Sequence, residues 1–179
     1  MGALRQFYPG VRTENAYKIP YETLYKKGYR GIIFDVDNTL VPHGAPADEK
    51  AKALFERLYA IGFRTCILSN NKEPRVAPFA KQVGSDYLCK GGKPGKKGYE
   101  RAMERMKTDR TDTLFIGDQL FTDIWGANRC GIFSILVNPI NPKEEIQIVL
   151  KRYLEALVLF FYSRDRRKRT VSGEEGHNF

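Results

Sequence analysis

Short apolar runs that each end at a polar residue alternate with amphipathic stretches through the middle of this chain. Clear runs cover residues 31–34, 64–68, 113–116 and 133–137, and a weaker one covers 85–88. The clear runs are too short and too uniformly apolar for amphipathic helices, so they are predicted to be strands buried on both faces. Strands alternating with helices are typical of a parallel sheet, and the predicted fold class is therefore α/β.

Helical patterns fill the gaps between these runs. Residues 47–61 repeat apolar side chains at helical spacing, and Gly62 gives a stop signal. Shorter patterns predict helices at 73–83, 96–107 and 121–129. The resulting order, β-α-β-α-β-α-β-α-β, predicts a doubly wound, Rossmann-like parallel sheet.

The length of 179 residues and the hydrophobic content of 42% suit a single domain with one substantial core. Residues 1–30 have no clear period and are predicted to form an irregular arm, with a short helix near 21–27. We expect the catalytic core at 31–142, a C-terminal amphipathic helix at 143–162 and a basic, flexible tail at 163–179.

Composition and charge restrict the compartment and the partners. Cys66, Cys89 and Cys130 lie far apart without paired spacing, which argues against a zinc site and against a disulfide framework. Without a secretory pattern at the N-terminus, a cytoplasmic protein is expected. The net charge of +9 favours polyanionic partners such as nucleic acid, anionic lipid or phosphorylated substrates.

The predicted C-terminal helix has an apolar stripe followed by a cluster of arginine and lysine at 164–169. One interpretation is that the stripe packs on the sheet or on another subunit, with a solvated tail. The other is that the helix lies in a membrane interface against anionic headgroups, which would make the protein peripheral at the membrane. The sequence leaves the oligomeric state open. The stripe consists of Ile146, Val149, Leu150, Tyr153, Leu154, Leu157, Phe160 and Phe161.

Polar side chains follow the predicted strands, and the carboxyl ends of parallel strands meet at one edge of a sheet, where ligands bind. Each piece alone is common in turns and helix caps, but together they fall at strand ends in a fixed order. Asp35, Asp37 and Thr39 follow the first run, Ser69 and Asn70 the second, Lys93 the third, and Asp118 and Asp123 the fourth.

Clustered carboxylates repel one another, so a cation is implied. Oxygen ligands without histidine or cysteine suit magnesium, which readily shares its remaining positions with a phosphate. A lysine and hydroxyl groups would bind the other phosphate oxygens, and a carboxylate facing the phosphorus could attack it.

These residues resemble the motifs of the haloacid dehalogenase superfamily of phosphatases. Residues 34–40 (Phe-Asp-Val-Asp-Asn-Thr-Leu) look like its first motif, Ser69 its second, Lys93-Pro94 its third and residues 117–123 its fourth. The resemblance implies Asp35 as nucleophile and metal ligand, and Asp37 as general acid/base that lends its backbone carbonyl to the metal. It further implies that Thr39, Ser69 and Lys93 bind the phosphate, and we predict Asn70, next to Ser69, as a further phosphate ligand. Asp118 would be a magnesium ligand. Asp123 would either bind the metal or orient Lys93.

Within the superfamily, residues 35–42 and 117–128 resemble the YqeG-type branch of subclass IIIA, which is similar to mitochondrial phosphatidylglycerophosphate phosphatases. The resemblance makes a phospholipid monoester a candidate substrate. The gaps at 40–64 and 71–92 are too short for a large cap domain, so the site is expected to admit a phosphate presented by something large.

Three alternatives remain. One is a phosphatase for nucleic-acid ends or other phosphorylated metabolites, which is less favoured because the basic cluster lacks interleaved aromatic residues. Another is a receiver domain, but the position after the third strand where a receiver carries its aspartate holds Cys89 and Lys90. The last is a non-catalytic scaffold for a protein or membrane partner, which would not need Asp37.

Overall fold

A parallel six-stranded sheet forms the centre of the fold in the computed structural model, which describes residues 2–141 and 154–165 with side chains from residue 4 onward. The order across the sheet is β1-β6-β5-β2-β3-β4, and all neighbouring strands are parallel. The predicted α/β class with a parallel sheet is confirmed. In chain order the strands are β1 (Val11–Thr13), β2 (Gly31–Phe34), β3 (Arg64–Leu68), β4 (Asp86–Leu88), β5 (Thr113–Gly117) and β6 (Phe133–Val137).

Helices connect the strands and cover both faces of the sheet. The Asp48 side chain accepts a hydrogen bond from the Ala51 amide at the start of one helix, and Gly62 ends that helix with φ of 108°. Two 3-10 helices, Gly2–Phe7 and Ala16–Lys18, lie in the N-terminal arm. The other helices are α1 (Tyr21–Lys26), α2 (Glu49–Ile61), α3 (Glu73–Val83), α4 (Lys96–Met106), a π-helix (Leu120–Ile124) that continues directly into α5 (Trp125–Cys130), and α6 at residues 154–165.

The sheet is buried on both faces because successive side chains of each central strand point in opposite directions. In β2, Ile32 and Phe34 join the core cluster that includes α2 and α3, while Ile33 joins the cluster on the other face, under α4 and α5. Both faces are apolar, which explains why the central strands have uniformly apolar sequences rather than alternating ones.

The N-terminal arm, predicted to be irregular, contributes the edge strand β1. Val11 and Thr13 pair with Ile135 and Val137 of β6. Gly10 lies against the edge of β6, where a Cβ atom would stand 2.6 Å from the Phe133 ring. A three-residue strand at a sheet edge has too short an apolar pattern to be recognised from sequence, which is why this strand was missed.

Helix α6 packs one side against the core and turns the other to solvent. Val158 is buried with Leu120, Ile124 and Leu136. The Tyr162 ring lies 5.2 Å from that of Tyr8. Within the described residues, no helix is both long enough and apolar enough to cross a membrane. The rest of the predicted stripe (Ile146, Val149, Leu150 and Tyr153) and tail residues 166–179 lie outside the described residues, whereas 163–165 continue the helix.

Candidate active site

Three carboxylates and one ammonium group meet at the carboxyl edge of the sheet. Asp35 follows β2, Asp118 follows the neighbouring strand β5, and Asp123 lies in the π-helix. Lys93 Nζ donates to Asp35 Oδ1 at 2.6 Å and to Asp123 Oδ1 at 2.7 Å. Asp35, Asp118 and Asp123 each offer an oxygen within 4.8 Å of the others. All four side chains are buried.

The loop after β2 brings Thr39 back to this cluster. Asn38 adopts φ of 65°, in the left-handed region that asparagine tolerates better than most residues. The amides of Thr39 and Leu40 both donate to the Val36 carbonyl, which closes the turn. As a result, Thr39 Oγ1 donates to Asp118 Oδ1 at 3.1 Å across the gap between two strand ends.

Asp123 is held at both oxygens. Its Oδ1 accepts from Lys93, and its Oδ2 accepts from the Gln119 amide at 3.1 Å. The Tyr99 hydroxyl contacts the carbonyls of Thr122 and Asp123 at 2.9 and 3.0 Å, which fixes the π-helix on α4. A side chain at Gly117 would clash, because a Cβ atom there would lie 2.5 Å from Asp123 Oδ2. Tyr99 was not singled out from the sequence, where it is one apolar position among others in a helix.

The loop that carries Lys93 is fastened to the loop after β3. Asn70 Oδ1 accepts from the Lys93 amide at 2.8 Å, and Asn70 Nδ2 donates to the Lys93 carbonyl at 3.1 Å. Asn70, predicted as a phosphate ligand, thus uses both side-chain groups to hold the Lys93 backbone. Ser69 is buried nearby, and its Oγ accepts from the Asn71 amide at 3.2 Å.

Asp37 lies at the rim of the site, outside the three-carboxylate cluster. Its Oδ1 accepts from the Gly44 amide at 2.8 Å and from Arg75 at 2.7 and 3.1 Å. Its Oδ2 accepts from Asn71 Nδ2 at 2.7 Å. His43 Nδ1 is 4.0 Å from Oδ1. The partners Gly44 and Arg75 were not predicted, since each is separated from Asp37 in sequence and lies in no recognisable pattern.

Burial and mutual repulsion disfavour charge on the clustered carboxylates. Burial raises the pKa of Asp35 to about 7, with Lys93 opposing the shift and Asp123 adding to it. Burial, together with Asp123 and Asp35, also raises the pKa of Asp118 well above its ordinary value. Burial alone would lower the pKa of Lys93, but the adjacent Asp123 and Asp35 raise it above the ordinary value.

The donor set fits a divalent metal ion. The three carboxylates outnumber the one ammonium group, so the buried cluster carries excess negative charge when ionised. A hard cation would relieve this repulsion, and carboxylate oxygens without histidine or cysteine are the ligands that magnesium prefers. Both oxygens of Asp123 accept hydrogen bonds, from Lys93 and from the Gln119 amide. Asp35 and Asp118, on neighbouring strand ends, each accept at one oxygen only among the described side-chain contacts, which leaves the other oxygen for a metal ion.

Comparisons with known proteins point to one family. Residues 43–131 match the family of haloacid dehalogenase-like hydrolases. "Probable phosphatase YqeG" of Bacillus subtilis is 35% identical over 170 residues, which cover 94% of this chain and 97% of that protein. "Phosphatidylglycerophosphate phosphatase 1, chloroplastic/mitochondrial" of Arabidopsis thaliana is 29% identical over 87% of this chain and 48% of its own length, so this chain spans about half of that relative.

Similarity to solved structures supports the same fold. The cobalt-bound deoxy-D-mannose-octulosonate 8-phosphate phosphatase of Haemophilus influenzae superposes with a TM-score of 0.52. The superposition covers 63% of this chain and 80% of that one, at 14% sequence identity. At this identity the similarity bears on the fold alone.

Proposed function

The chain belongs to the haloacid dehalogenase-like hydrolases, and from this premise we propose that it is a magnesium-dependent phosphomonoesterase that forms a phosphorylated aspartate at Asp35. The observation that carries the proposal is the buried contact of Lys93 with Asp35 and Asp123, beside Asp118. This contact supports the proposal, because a carboxylate that could attack phosphorus, an ammonium group that could bind a phosphate and two further carboxylates lie within a few ångströms of one another.

Asp35 is the best placed of the three carboxylates to attack phosphorus. Asp123 has both oxygens occupied, by Lys93 and by the Gln119 amide. Asp118 accepts from Thr39, which ties it to the first loop. Asp35 uses only Oδ1, for Lys93, and within the described residues no donor meets its Oδ2. That oxygen is the one we assign as the nucleophile.

The reaction has two steps. Asp35 Oδ2 forms a bond to phosphorus while the bond from phosphorus to the leaving oxygen breaks, and protonated Asp37 gives its proton to that oxygen. Water then attacks the phosphorus of the acyl phosphate and gives its proton to Asp37, which releases phosphate and restores Asp35. Lys93, Ser69 and Thr39 would bind the phosphoryl oxygens throughout. A bound magnesium ion would supply further neutralisation of the phosphoryl charge.

A lipid-borne phosphomonoester is the substrate that we propose. The Arabidopsis relative is named for a phosphatidylglycerophosphate. Between β2 and β3 the chain holds a loop and α2, and between β3 and α4 it holds α3 and the short strand β4, so neither gap carries an inserted domain over the site. An open site of this kind can accept a phosphate that projects from a membrane.

Helix α6 supplies an apolar surface beside the site. Glu155 Oε1 accepts from the Leu120 amide at 3.1 Å, two residues after Asp118, so the helix lies close to the catalytic edge. On its outer side, Leu154, Leu157 and Phe160 are 55%, 54% and 62% exposed. We call these three residues the apolar ridge. The basic residues that follow in sequence, with the net charge of +9, suit an anionic bilayer under this ridge.

The proposed function predicts release of phosphate from phosphatidylglycerophosphate in vesicles when magnesium is present. The direct measurement compares this release with release from an end-phosphorylated oligonucleotide and from sugar phosphates, at equal monoester concentration. We expect the vesicle substrate to be turned over at least about tenfold faster, because a surface concentrates both enzyme and substrate. Faster release from the oligonucleotide would favour the nucleic-acid alternative, and no release from any monoester would favour a scaffold.

A triple variant, Leu154→Gln, Leu157→Gln and Phe160→Gln, replaces the apolar ridge by glutamine. It should bind phosphatidylglycerol vesicles about tenfold or more weakly, because each apolar side chain contributes up to about 1.5–3 kcal/mol when it is buried. Vesicle co-sedimentation measures this effect. Turnover of a soluble monoester should be unchanged. The matched control replaces the same three residues by methionine, which keeps the surface apolar, and unaltered vesicle binding of the glutamine variant would contradict the role of the ridge.

A further inference from the structure

The carboxylate of Asp37 accepts four hydrogen bonds at the rim of the site. Gly44 and Arg75 donate to Oδ1, and Asn71 donates to Oδ2. Both oxygens therefore act as acceptors, whereas protonation of a leaving group requires a proton on one of them, directed at that group. Oδ2 has a single partner and keeps a lone pair that can carry this proton, whereas Oδ1 is taken up by Gly44 and Arg75.

Arg75 is the charged member of this set of partners. It lies in the first turn of α3, and both Nε and Nη2 contact the same oxygen of Asp37. A guanidinium has five N–H donors and binds carboxylates and phosphates most tightly when two of its nitrogens meet two different oxygens. That fork arrangement is not formed with Asp37, so Arg75 has donors to offer a further anion.

The position of Arg75 places it on the leaving-group side of the site. Its side chain is 21% exposed, against 11% for that of Asp37, so Arg75 is the more accessible member of the pair. A leaving oxygen that takes a proton from Asp37 must approach it to about 3 Å. Because Arg75 is 2.7 Å from Asp37, the alcohol attached to that oxygen would lie within reach of the guanidinium.

We propose that Arg75 binds a second anionic group on the alcohol part of the substrate through these further donors. The inference rests on the proposed function, which gives Asp37 its role. The substrate class is a phosphomonoester whose alcohol carries a phosphodiester a few bonds from the scissile bond. Arg75 is then a specificity-determining residue.

The spare donors of Arg75 favour doubly anionic substrates on energetic grounds. A phosphodiester oxygen at these donors adds a charge-assisted hydrogen bond, while the contact of Arg75 with Asp37 is kept. Hydrogen bonds to charged groups contribute about 1.5–3 kcal/mol, so kcat/KM should differ by roughly 10- to 100-fold between substrates with and without the second anion.

Two soluble substrates test the inference without a membrane. Glycerophosphoglycerol phosphate carries a phosphomonoester and a phosphodiester, and glycerol 3-phosphate carries only the monoester. The wild-type protein should prefer the first by roughly 10- to 100-fold in kcat/KM. Arg75→Gln should reduce this preference at least about tenfold, because the larger loss falls on the substrate that carries the phosphodiester. Arg75→Lys, which keeps the charge without the fork, should retain part of the preference.

Binding gives a second measurement that does not depend on the chemical step. Glycerophosphoglycerol, which has the phosphodiester and no monoester, should inhibit the wild-type protein competitively and should inhibit Arg75→Gln at least about tenfold more weakly. The matched control is Arg57→Gln, which removes an equal charge from the remote surface pair with Glu22 and should leave the preference and the inhibition unchanged.

Two outcomes would overturn the inference. One is a wild-type protein that shows no preference between the two substrates. The other is an equal loss on both substrates in Arg75→Gln, which would mean that Arg75 only holds Asp37 in place. If either occurs while para-nitrophenyl phosphate is still hydrolysed, the inference fails and the proposed function stands. Failure to release phosphate from any monoester would remove both.

Discussion

Replacing Asp35 by asparagine should reduce phosphate release by at least about 10³-fold, because the amide cannot form the acyl phosphate on which both steps depend. The measurement is steady-state phosphate release with magnesium present. Acid quenching of the wild-type protein during turnover of a ³²P-labelled substrate should in addition trap a phosphorylated protein that the variant does not form. Wild-type turnover by Asp35→Asn would contradict the assignment of the nucleophile.

The same substitution should leave the fold intact, and pH provides the control. Burial raises the pKa of Asp35 from 3.8 to about 7 in the metal-free protein, so folding disfavours its charged form. The stability contributed by the protonated group is complete below about pH 4 and is lost as the pH rises through about 7. In chelator-treated protein, the unfolding free energy of Asp35→Asn relative to wild type should therefore increase between about pH 5 and about pH 8. If the unfolding free energies of the variant and the wild-type protein changed equally with pH, this account of Asp35 would be contradicted.

Removal of divalent cations should also abolish turnover, by about 10³-fold or more, because the three clustered carboxylates would repel both one another and the substrate phosphate. Phosphate release in a chelator, followed by titration with magnesium, measures the effect. Magnesium should raise the melting temperature of the wild-type protein as well, since an ion that binds only the folded state stabilises it. Full turnover in the presence of the chelator would contradict the metal requirement.

The Asp118→Asn variant tests whether Asp118 is a ligand of the required metal ion. It removes one carboxylate from the cluster while keeping a side chain that can accept from Thr39. We expect it to raise the magnesium concentration for half-maximal activity by at least about tenfold and to reduce the magnesium-dependent shift in melting temperature. An unchanged titration would show that the ion binds elsewhere.

The parallel sheet and its helices could be predicted because their signals are local. The runs at 31–34, 64–68 and 133–137 correspond to observed strands, and the helix predicted at 73–83 has the observed bounds. The meeting of Asp35 with Asp118 could also be expected, because both follow strands whose carboxyl ends share one edge. Strand pairing then brings them together without any further signal in the sequence.

Contacts between side chains from distant segments could not be predicted. Arg75, in the first turn of α3, contacts Asp37 across a sequence separation of 38 residues. Asn70 was assigned to the phosphate by its position after a strand, whereas the structure directs its amide to the Lys93 backbone. The helix predicted at 121–129 begins as a π-helix, in which Asp123 contacts both Lys93 and the Gln119 amide. Helical periodicity does not record these contacts.

The pairing of β1 with β6 has a consequence for how the chain folds as it is synthesised. Val11 leaves the ribosome early, but its partner Ile135 follows only after the four intervening strands have been made. Until then the edge of the sheet lacks its last two strands, and β5 keeps an open row of backbone donors and acceptors. Such an edge can pair with another chain, so the interval before β6 emerges is the stage at which nascent copies are most exposed to aggregation.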